Sequence, residues 1–472
     1  MSQERQSLSP VDTAWLHMED PTNLMMVTSV ALLDGAIDYP RLRATLEARL
    51  LTIPRFHMRV VDSRIPGKLP HWETDPNFDL DNHLHHAALP APGDLPTLQR
   101  FLGDLASTPL DYSKPLWQIH TLENVMGGSA FVVRFHHCLA DGVAMMWVIG
   151  RLMDVTPDAP VELPERPRRA RKRGLLAPIL APAHAAVDMS RRAASTLVHE
   201  SVESLLHPSH LLTLTEPARE VSGILARALV MPPDPATRFK GPLHVPKHVA
   251  WSQPVDLATV KAIGRAADAK VNDVLLSAVA GALRHYLLDH DDLVDGMEVR
   301  AVVPVNFRDE AQAMNLGNQF GLVFLALPLG LPDPMARLRA VKANMDAIKA
   351  SSEATVFYGL LNVFGATPQQ VEEQVVNLFG SKATAVMTNV PGPQMTLYLA
   401  GSRMRNGMFW VPQAGRLGMG ISIFSYDGHV TLGVITDASL VPDPETIAHH
   451  FEQEFARLHA ATELRSATDE HR

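Results

Sequence analysis

Hydrophobic and polar positions along this chain switch repeatedly between two periods. MMVTSVALL, ending at Leu33, is a nearly unbroken apolar run stopped by Asp34-Gly35, and it predicts a strand. YPRLRATLEARLLTIPRF then places Leu42, Leu46 and Leu50 on one stripe, the pattern of an amphipathic helix ended near Pro54. SAFVVRF, Ser129 to Phe135, is apolar apart from one arginine and reads as a mostly buried strand. VAMMWVIGRLMD, after Gly142, reads as a helix. In the second half, LATVKAIGRAADAKVNDVLLSAVAGALRHYLLDH predicts two helices with a break at Val271-Asn272. EVRAVVPVNFR and FGLVFLALPLG predict strands. PDPMARLRAVKANMDAIKA predicts a helix with Asp333 as N-cap and Pro334 at the first position, its apolar face formed by Met335, Leu338, Val341, Met345 and Ile348. LGMGISIFSYDGHVTLGVITD predicts a hairpin turning at Asp427-Gly428-His429. A last helix is expected after Asp443-Pro444, with Ile447, Phe451, Phe455 and Leu458 inward. No short tandem repeat is visible, and the architecture reads as α/β in two halves.

Length supports the division: 472 residues exceed one ordinary core. Residues 1–155 and 218–472 are expected to form the two domains. Residues 156–217 read as a Pro/Arg-rich linker with a helical insert, because DVTPDAPVELPERPRRARKRG interrupts the periodicity with prolines and the basic cluster Arg166, Arg168, Arg169, Arg171, Lys172 and Arg173. A hydrophobic content of 46% and a charged content of 20% indicate a globular rather than a disordered chain. The net charge of −9 argues against nucleic acid as the main partner. Cys138 is the one cysteine, which excludes an intrachain disulfide and a cysteine-based zinc site and fits a reducing cytoplasm. The first residues, MSQERQSLSPVD, lack the apolar stretch of a secretory signal, and no run of 18 apolar residues occurs. The chain is therefore expected not to span a membrane, while lying on one stays open.

Candidate chemistry concentrates in FVVRFHHCLADG, Phe131 to Gly142, at the expected strand-to-helix turn. Adjacent histidines occur three times. His85-His86 is expected in a polar loop and His449-His450 inside the last helix, both as surface or helix-side residues. His136-His137 instead ends a buried strand, where an unsatisfied polar side chain is costly. Asp141 follows four residues after His137. Gly142 permits a backbone conformation or close approach that a Cβ would obstruct. Consecutive strand residues point to opposite faces, so one histidine of the pair faces a given pocket and the other faces structure. A neutral imidazole there suits general base catalysis on a hydroxyl. Asp141 would either fix the imidazole tautomer or pair with an arginine to hold the turn. No serine sits in a G-x-S-x-G context. Cys138 faces away from His137 if the alternation continues, and no third ligand for a His/Asp metal site is apparent.

HHCLADG resembles the HHxxxDG motif of the chloramphenicol acetyltransferase-like superfamily of CoA-dependent acyltransferases and condensation domains. LSPVDTAWLHMED, KPLWQIHTLE, VNDVLLSAVAGALRHYL, VPVNFR, GNQFG and TNVPGP resemble the bacterial wax ester synthase/acyl-CoA:diacylglycerol acyltransferase family, in order from about Leu8 to about Leu458. The resemblance implies two chloramphenicol acetyltransferase-like mixed-sheet domains flanking a central substrate tunnel. It implies His137 as catalytic base, His136 as its support, Asp141 as a mainly structural residue and Gly142 as a shaper of the turn. Its PLW, ND and NVP motifs fall on Pro115, Leu116 and Trp117, on Asn272 and Asp273, and on Asn389, Val390 and Pro391. The first set is open to a packing role, and Asn272 to a helix N-cap role. Arg308 in VPVNFR would pair with Asp141 or cap a strand end. Two departures stand out. LMMV, Leu24 to Val27, replaces a P-M-H-V-type histidine context, and the D-F-G-W-G motif of plant acyltransferases is missing.

The implied activity is transfer of a long acyl group from acyl-CoA, as co-substrate rather than bound cofactor, to diacylglycerol or a long-chain alcohol, without an acyl-enzyme. A cytoplasmic protein peripheral to the inner membrane or to lipid droplets is expected, with no metal. The basic linker would bind CoA phosphates, dock on anionic lipid or simply be solvated. The rival readings are a condensation-type enzyme using carrier-protein thioesters and a non-catalytic lipid-binding protein.

Overall fold

A computed structural model describes residues 5–63, 68–162, 216–308, 315–365, 367, 369–413 and 415–469 of the chain. The helical insert and the basic cluster expected within 163–215 lie outside these described residues.

Two large sheets organise the molecule. The first runs β13-β14-β2-β7-β6-β5, with β2 at Met26–Leu33, β5 at Leu84–Ala88, β6 at Trp117–Val125, β7 at Gly128–His136, β13 at Tyr398–Leu399 and β14 at Ser402–Trp410. The second runs β11-β10-β12-β15-β16-β8. Its strands are β8 (Lys247–Trp251), β10 (Val299–Asn306), β11 (Phe320–Leu327), β12 (Ala385–Pro391), β15 (Met419–Tyr426) and β16 (His429–Asp437), with β9 (Val255–Asp256) also on β16. A small sheet joins β1 (Arg5–Ser7), β4 (His71–Thr74) and β3 (Met58–Val61). Parallel and antiparallel pairs mix in both large sheets, as expected for an α/β chain. The division into 1–155 and 218–472 does not separate the sheets, because β13 and β14 return from the second half to complete the first one.

The helices are α1 (Pro10–His17), α2 (Tyr39–Thr45), α3 (Leu95–Ala106), α4 (Gly142–Leu152), α5 (Glu216–Val230), α6 (Leu257–Ala266), α7 (Val271–Asp289), α8 (Pro334–Lys349), α9 (Glu353–Phe364), α10 (Gln369–Gly380) and α11 (Pro444–Asp469). The Leu42-Leu46-Leu50 stripe is fully buried, although its second half winds as a π turn, Leu46–Leu50. Asp333 caps α8 through the N–H groups of Met335 and Ala336, and Pro334 opens it. The hairpin turns where expected, with Asp427 and Gly428 at positive φ.

Two expectations are corrected. His85 and His86 lie in β5, a parallel edge strand beside β6, where His86 meets Glu123 at 2.9 Å. The break between α6 and α7 falls before Val271, so Lys270 occupies the cap position and Asn272 sits inside the first turn of α7.

Candidate active site

Strand β7 carries the motif between two unlike environments. Its odd-numbered residues Phe131, Val133 and Phe135 line an apolar cavity, together with Val27, Ser29 and Ala31 of β2. Its even-numbered residues face the other way: Arg134 is buried, donates to Gln118 Oε1 at 2.9 Å and to the Thr108 carbonyl, and is pushed down to about 10 by burial. The strand ends at His136, and the backbone N–H of His137 still bonds the Met25 carbonyl at 2.7 Å. The pair therefore divides as alternation requires. His136 is buried on the polar side, its Nδ1 accepting from the Cys138 N–H at 3.1 Å and its Nε2 lying 3.1 Å from Glu19. Glu19 in turn accepts from the Tyr112 hydroxyl at 2.7 Å and the Met25 N–H at 3.0 Å. That side opens into a separate cavity lined by Glu19 and Tyr112.

His137 is held differently. The indole of Trp15, on α1, stacks on its imidazole at 4.3 Å, and Phe320 meets it edge-on at 5.7 Å. Asn318 Nδ2 donates to the His137 carbonyl at 2.9 Å and to Asp12 Oδ1 at 2.8 Å, while its N–H also reaches Asp12 at 3.0 Å. Asp12, buried on α1, thus clamps the loop before β11 onto the motif; burial pushes its own pKa up. Burial dominates the imidazole too. Desolvation drives His137 down to about 4, against the opposing field of Asp141 and the acceptors supplied by its own carbonyl and by Asn318. A neutral imidazole follows at any pH near 7.

Asp141 resolves the two roles left open for it. Its Oδ1 accepts from the Ala144 N–H at 2.9 Å as the N-cap of α4. Its Oδ2 accepts from Arg308 at 2.7 Å and from the Gln319 N–H at 3.0 Å. No hydrogen bond runs from Asp141 to the His137 ring. Arg308 also donates to the Gly317 carbonyl at 2.7 Å and the Asn315 carbonyl. This buried ion pair joins the segment just after β10 of the second sheet to the turn after β7. The pairing alternative for Arg308 is therefore the one realised.

The remaining motif residues separate into packing and lining. Leu116 and Trp117 are buried; Trp117 donates to the Phe56 carbonyl at 3.0 Å and stacks on His83, while the Leu116 carbonyl accepts the His136 N–H at 3.0 Å. PLW, opened by Pro115, is thus a packing motif under the histidine strand. Asn272 is not an N-cap; its Oδ1 accepts from Asn389 Nδ2 at 2.9 Å, tying α7 to β12. Asp273 accepts from the Lys270 N–H at 3.0 Å and closes the first turn of α7. Gly142 is also corrected. It has no positive φ, and a Cβ there would meet only Val390 Cγ2, at 3.8 Å, so the turn itself does not demand glycine. Cys138 is fully buried and its thiol is pushed well up by burial, which removes it as a nucleophile. Among the described residues, no group of three His, Cys, Asp or Glu could hold a metal ion.

The apolar cavity is partly open and draws its walls from both halves. Gly142, Met145 and Met146 of α4 face Val390, Met408 and Phe424 of β12, β14 and β15 across it. Chemically, the arrangement offers a neutral imidazole at the turn that joins two elements of the apolar cavity's wall, β7 and α4. Sequence reading missed Trp15, Asp12, Glu19 and Asn318. All four lie in the family-like stretches LSPVDTAWLHMED and GNQFG, and α1 carried a local signal as well: Ser9 before Pro10, with Asp12 in the first turn, is a helix start, and the Ser9 Oγ indeed accepts the Asp12 N–H.

Comparison with known proteins agrees with this geometry. The model of the wax ester synthase/diacylglycerol acyltransferase catalytic domain matches residues 8–275, and that of the WS/DGAT C-terminal domain matches residues 316–459. A Mycobacterium tuberculosis (strain H37Rv) protein bearing the name of a diacylglycerol O-acyltransferase is 30% identical over 470 residues, which is 96% of this chain and 89% of that protein. The solved wax ester synthase/diacylglycerol acyltransferase from Marinobacter aquaeolei VT8 shares the fold with a TM-score of 0.68 at 22% identity, over 97% of this chain and 99% of that one. The first condensation domain of the calcium-dependent antibiotic synthetase, solved with a substrate analogue, shares it with a TM-score of 0.60 at 15% identity, over 98% and 97%.

Proposed function

The chain belongs to the wax ester synthase/diacylglycerol acyltransferase family, and from that premise we propose that it moves a long acyl group from acyl-CoA to the hydroxyl of diacylglycerol or of a long-chain alcohol, with His137 as general base. The observation that carries the reading is the position of His137: a buried, neutral imidazole at the turn between β7 and α4, two elements that both line an apolar cavity walled by both halves. Its Nδ1 is buried without a hydrogen-bond partner among the described residues, and we assign the ring proton there, which leaves the Nε2 lone pair for substrate.

In the reaction, Nε2 takes the hydroxyl proton as the alcohol oxygen bonds to the thioester carbonyl carbon. The tetrahedral oxyanion collapses, the carbon–sulfur bond breaks, and the departing CoA thiolate takes the proton back from the imidazolium. The ester and free CoA leave, and the protein returns unchanged. Exclusion of water by the apolar walls protects the thioester from hydrolysis, and holding both chains in one channel supplies orientation. The scheme requires no resident cofactor or metal. Asp141 and Arg308 keep the turn in place without touching substrate.

Among the described residues no helix is long and apolar enough to cross a membrane. Because both substrates and the product partition into lipid, the protein would work in the cytoplasm as a peripheral visitor to the inner membrane or to lipid droplets. The test is release of free CoA from palmitoyl-CoA with diolein or hexadecanol as acceptor. Acceptor-dependent release is expected, and the better acceptor assigns triacylglycerol or wax ester. Turnover confined to acyl groups on a phosphopantetheine carrier protein, or no turnover with intact lipid binding, would contradict it.

A further inference from the structure

One glycine of the cavity wall has no structural reason to be a glycine. Gly150 lies in α4 without a positive φ, and a Cβ built on it meets nothing within 4 Å. Glycine is disfavoured in helices relative to alanine, so local structure alone would prefer a side chain there. Gly150 is exposed where it lines the apolar cavity, so a side chain there enters open space along that wall. Gly142, Met146 and Gly150 follow one another at four-residue spacing and form one stripe facing it. Gly142 begins that stripe five residues after His137, and Gly150 lies two turns further out. The other conspicuous glycine of the wall, Gly407, is different, because its empty position is already filled by the Met404 side chain.

We propose that Gly150 sets how long a fatty chain the cavity accepts, by leaving open the passage along α4 beyond the first two turns. Eight residues of helix rise about 12 Å, so at roughly 1.3 Å per methylene about nine chain carbons lie between Gly142 and Gly150. An eight-carbon chain bound at the base end stops short of Gly150, whereas a sixteen-carbon chain runs past it. The surrounding methionines, Met145, Met146, Met153, Met404 and Met408, are unbranched and yield to chains of different shape. A helical backbone does not yield, which makes Gly150 the fixed point. The ligand is an unbranched alkyl chain, and it could belong to the thioester or to the acceptor. This inference rests on the acyl-transfer reading.

The test measures kcat/KM for free CoA release with octanoyl-CoA or palmitoyl-CoA, each paired with octanol or hexadecanol, in wild type, Gly150→Ala and Gly150→Leu. In Gly150→Leu, the sixteen-carbon form of one substrate is expected to lose at least ten-fold relative to its eight-carbon form. The substrate whose length matters is the one that occupies the passage. Gly150→Ala is expected to move the same ratio in the same direction by two- to three-fold. Retained eight-carbon turnover and an unlowered melting temperature show that a variant is folded; should Gly150→Leu fail that check, the ratio in Gly150→Ala decides. A ratio equal to wild type in the folded variants overturns the proposal while leaving the acyltransferase reading intact. No acceptor-dependent release from wild type with any of the four pairs, nor with diolein as acceptor for either thioester, overturns the reaction itself, and the proposal with it.

Discussion

Two histidine pairs in this chain have the same sequence and opposite fates. In α11, His450 meets Asp289 at 2.6 Å, and the His449 side chain is 65% exposed near Glu452. After β7, His136 takes the carboxylate partner, Glu19, and His137 takes none, being enclosed by Trp15 and Phe320. The two pairs differ in what distant segments bring to them. A solvated or ion-paired imidazole gains nothing for proton abstraction from an alcohol. A desolvated one held against an indole, with its charged form penalised, stays neutral and keeps a lone pair available.

The largest expected effect of breaking this difference is on the frame. Arg308→Ala leaves Asp141 buried without its cation, and should cost about 3–5 kcal/mol in denaturant unfolding. Asn318→Ala leaves Asp12 only the backbone N–H of residue 318 from this loop and removes the side-chain donor to the His137 carbonyl; a loss of about 1–3 kcal/mol is expected, with kcat falling more than KM rises because ring placement suffers. His449→Ala, on the other pair, should change stability by no more than about 0.5 kcal/mol and leave turnover alone. The pH profile should show no effect at all over the neutral range. With His137 at about 4, its acidic limb in kcat/KM appears only as pH falls through that region, because protonation removes the base; the profile stays flat upward to about pH 8. A limb near 6.5 would instead describe a solvated imidazole.

Local pattern made the strand, the turn and the helix around the motif legible, since SAFVVRF and VAMMWVIGRLMD carry their periods within a few residues. Alternation alone separated His136 from His137. Arg308 was offered as a partner of Asp141, but the others were not legible for a physical reason: Trp15, Asp12 and Asn318 reach the motif from more than 100 residues away, and nothing in a local pattern reports a long-range contact. Asn272 was misread because an asparagine before an apolar run looks like a cap, while the capping position actually falls on Lys270. His85 and His86 were misread because a short edge strand with polar residues has the composition of a loop.

The most direct test of the central claim is acceptor-dependent CoA release by His137→Ala, measured beside wild type and His449→Ala at pH 7.5. A fall of about 10²- to 10⁴-fold in kcat for His137→Ala, with native stability and an unchanged His449→Ala, is the expected result. Turnover by a folded His137→Ala within a few-fold of wild type would contradict the account, and would place the proton transfer elsewhere.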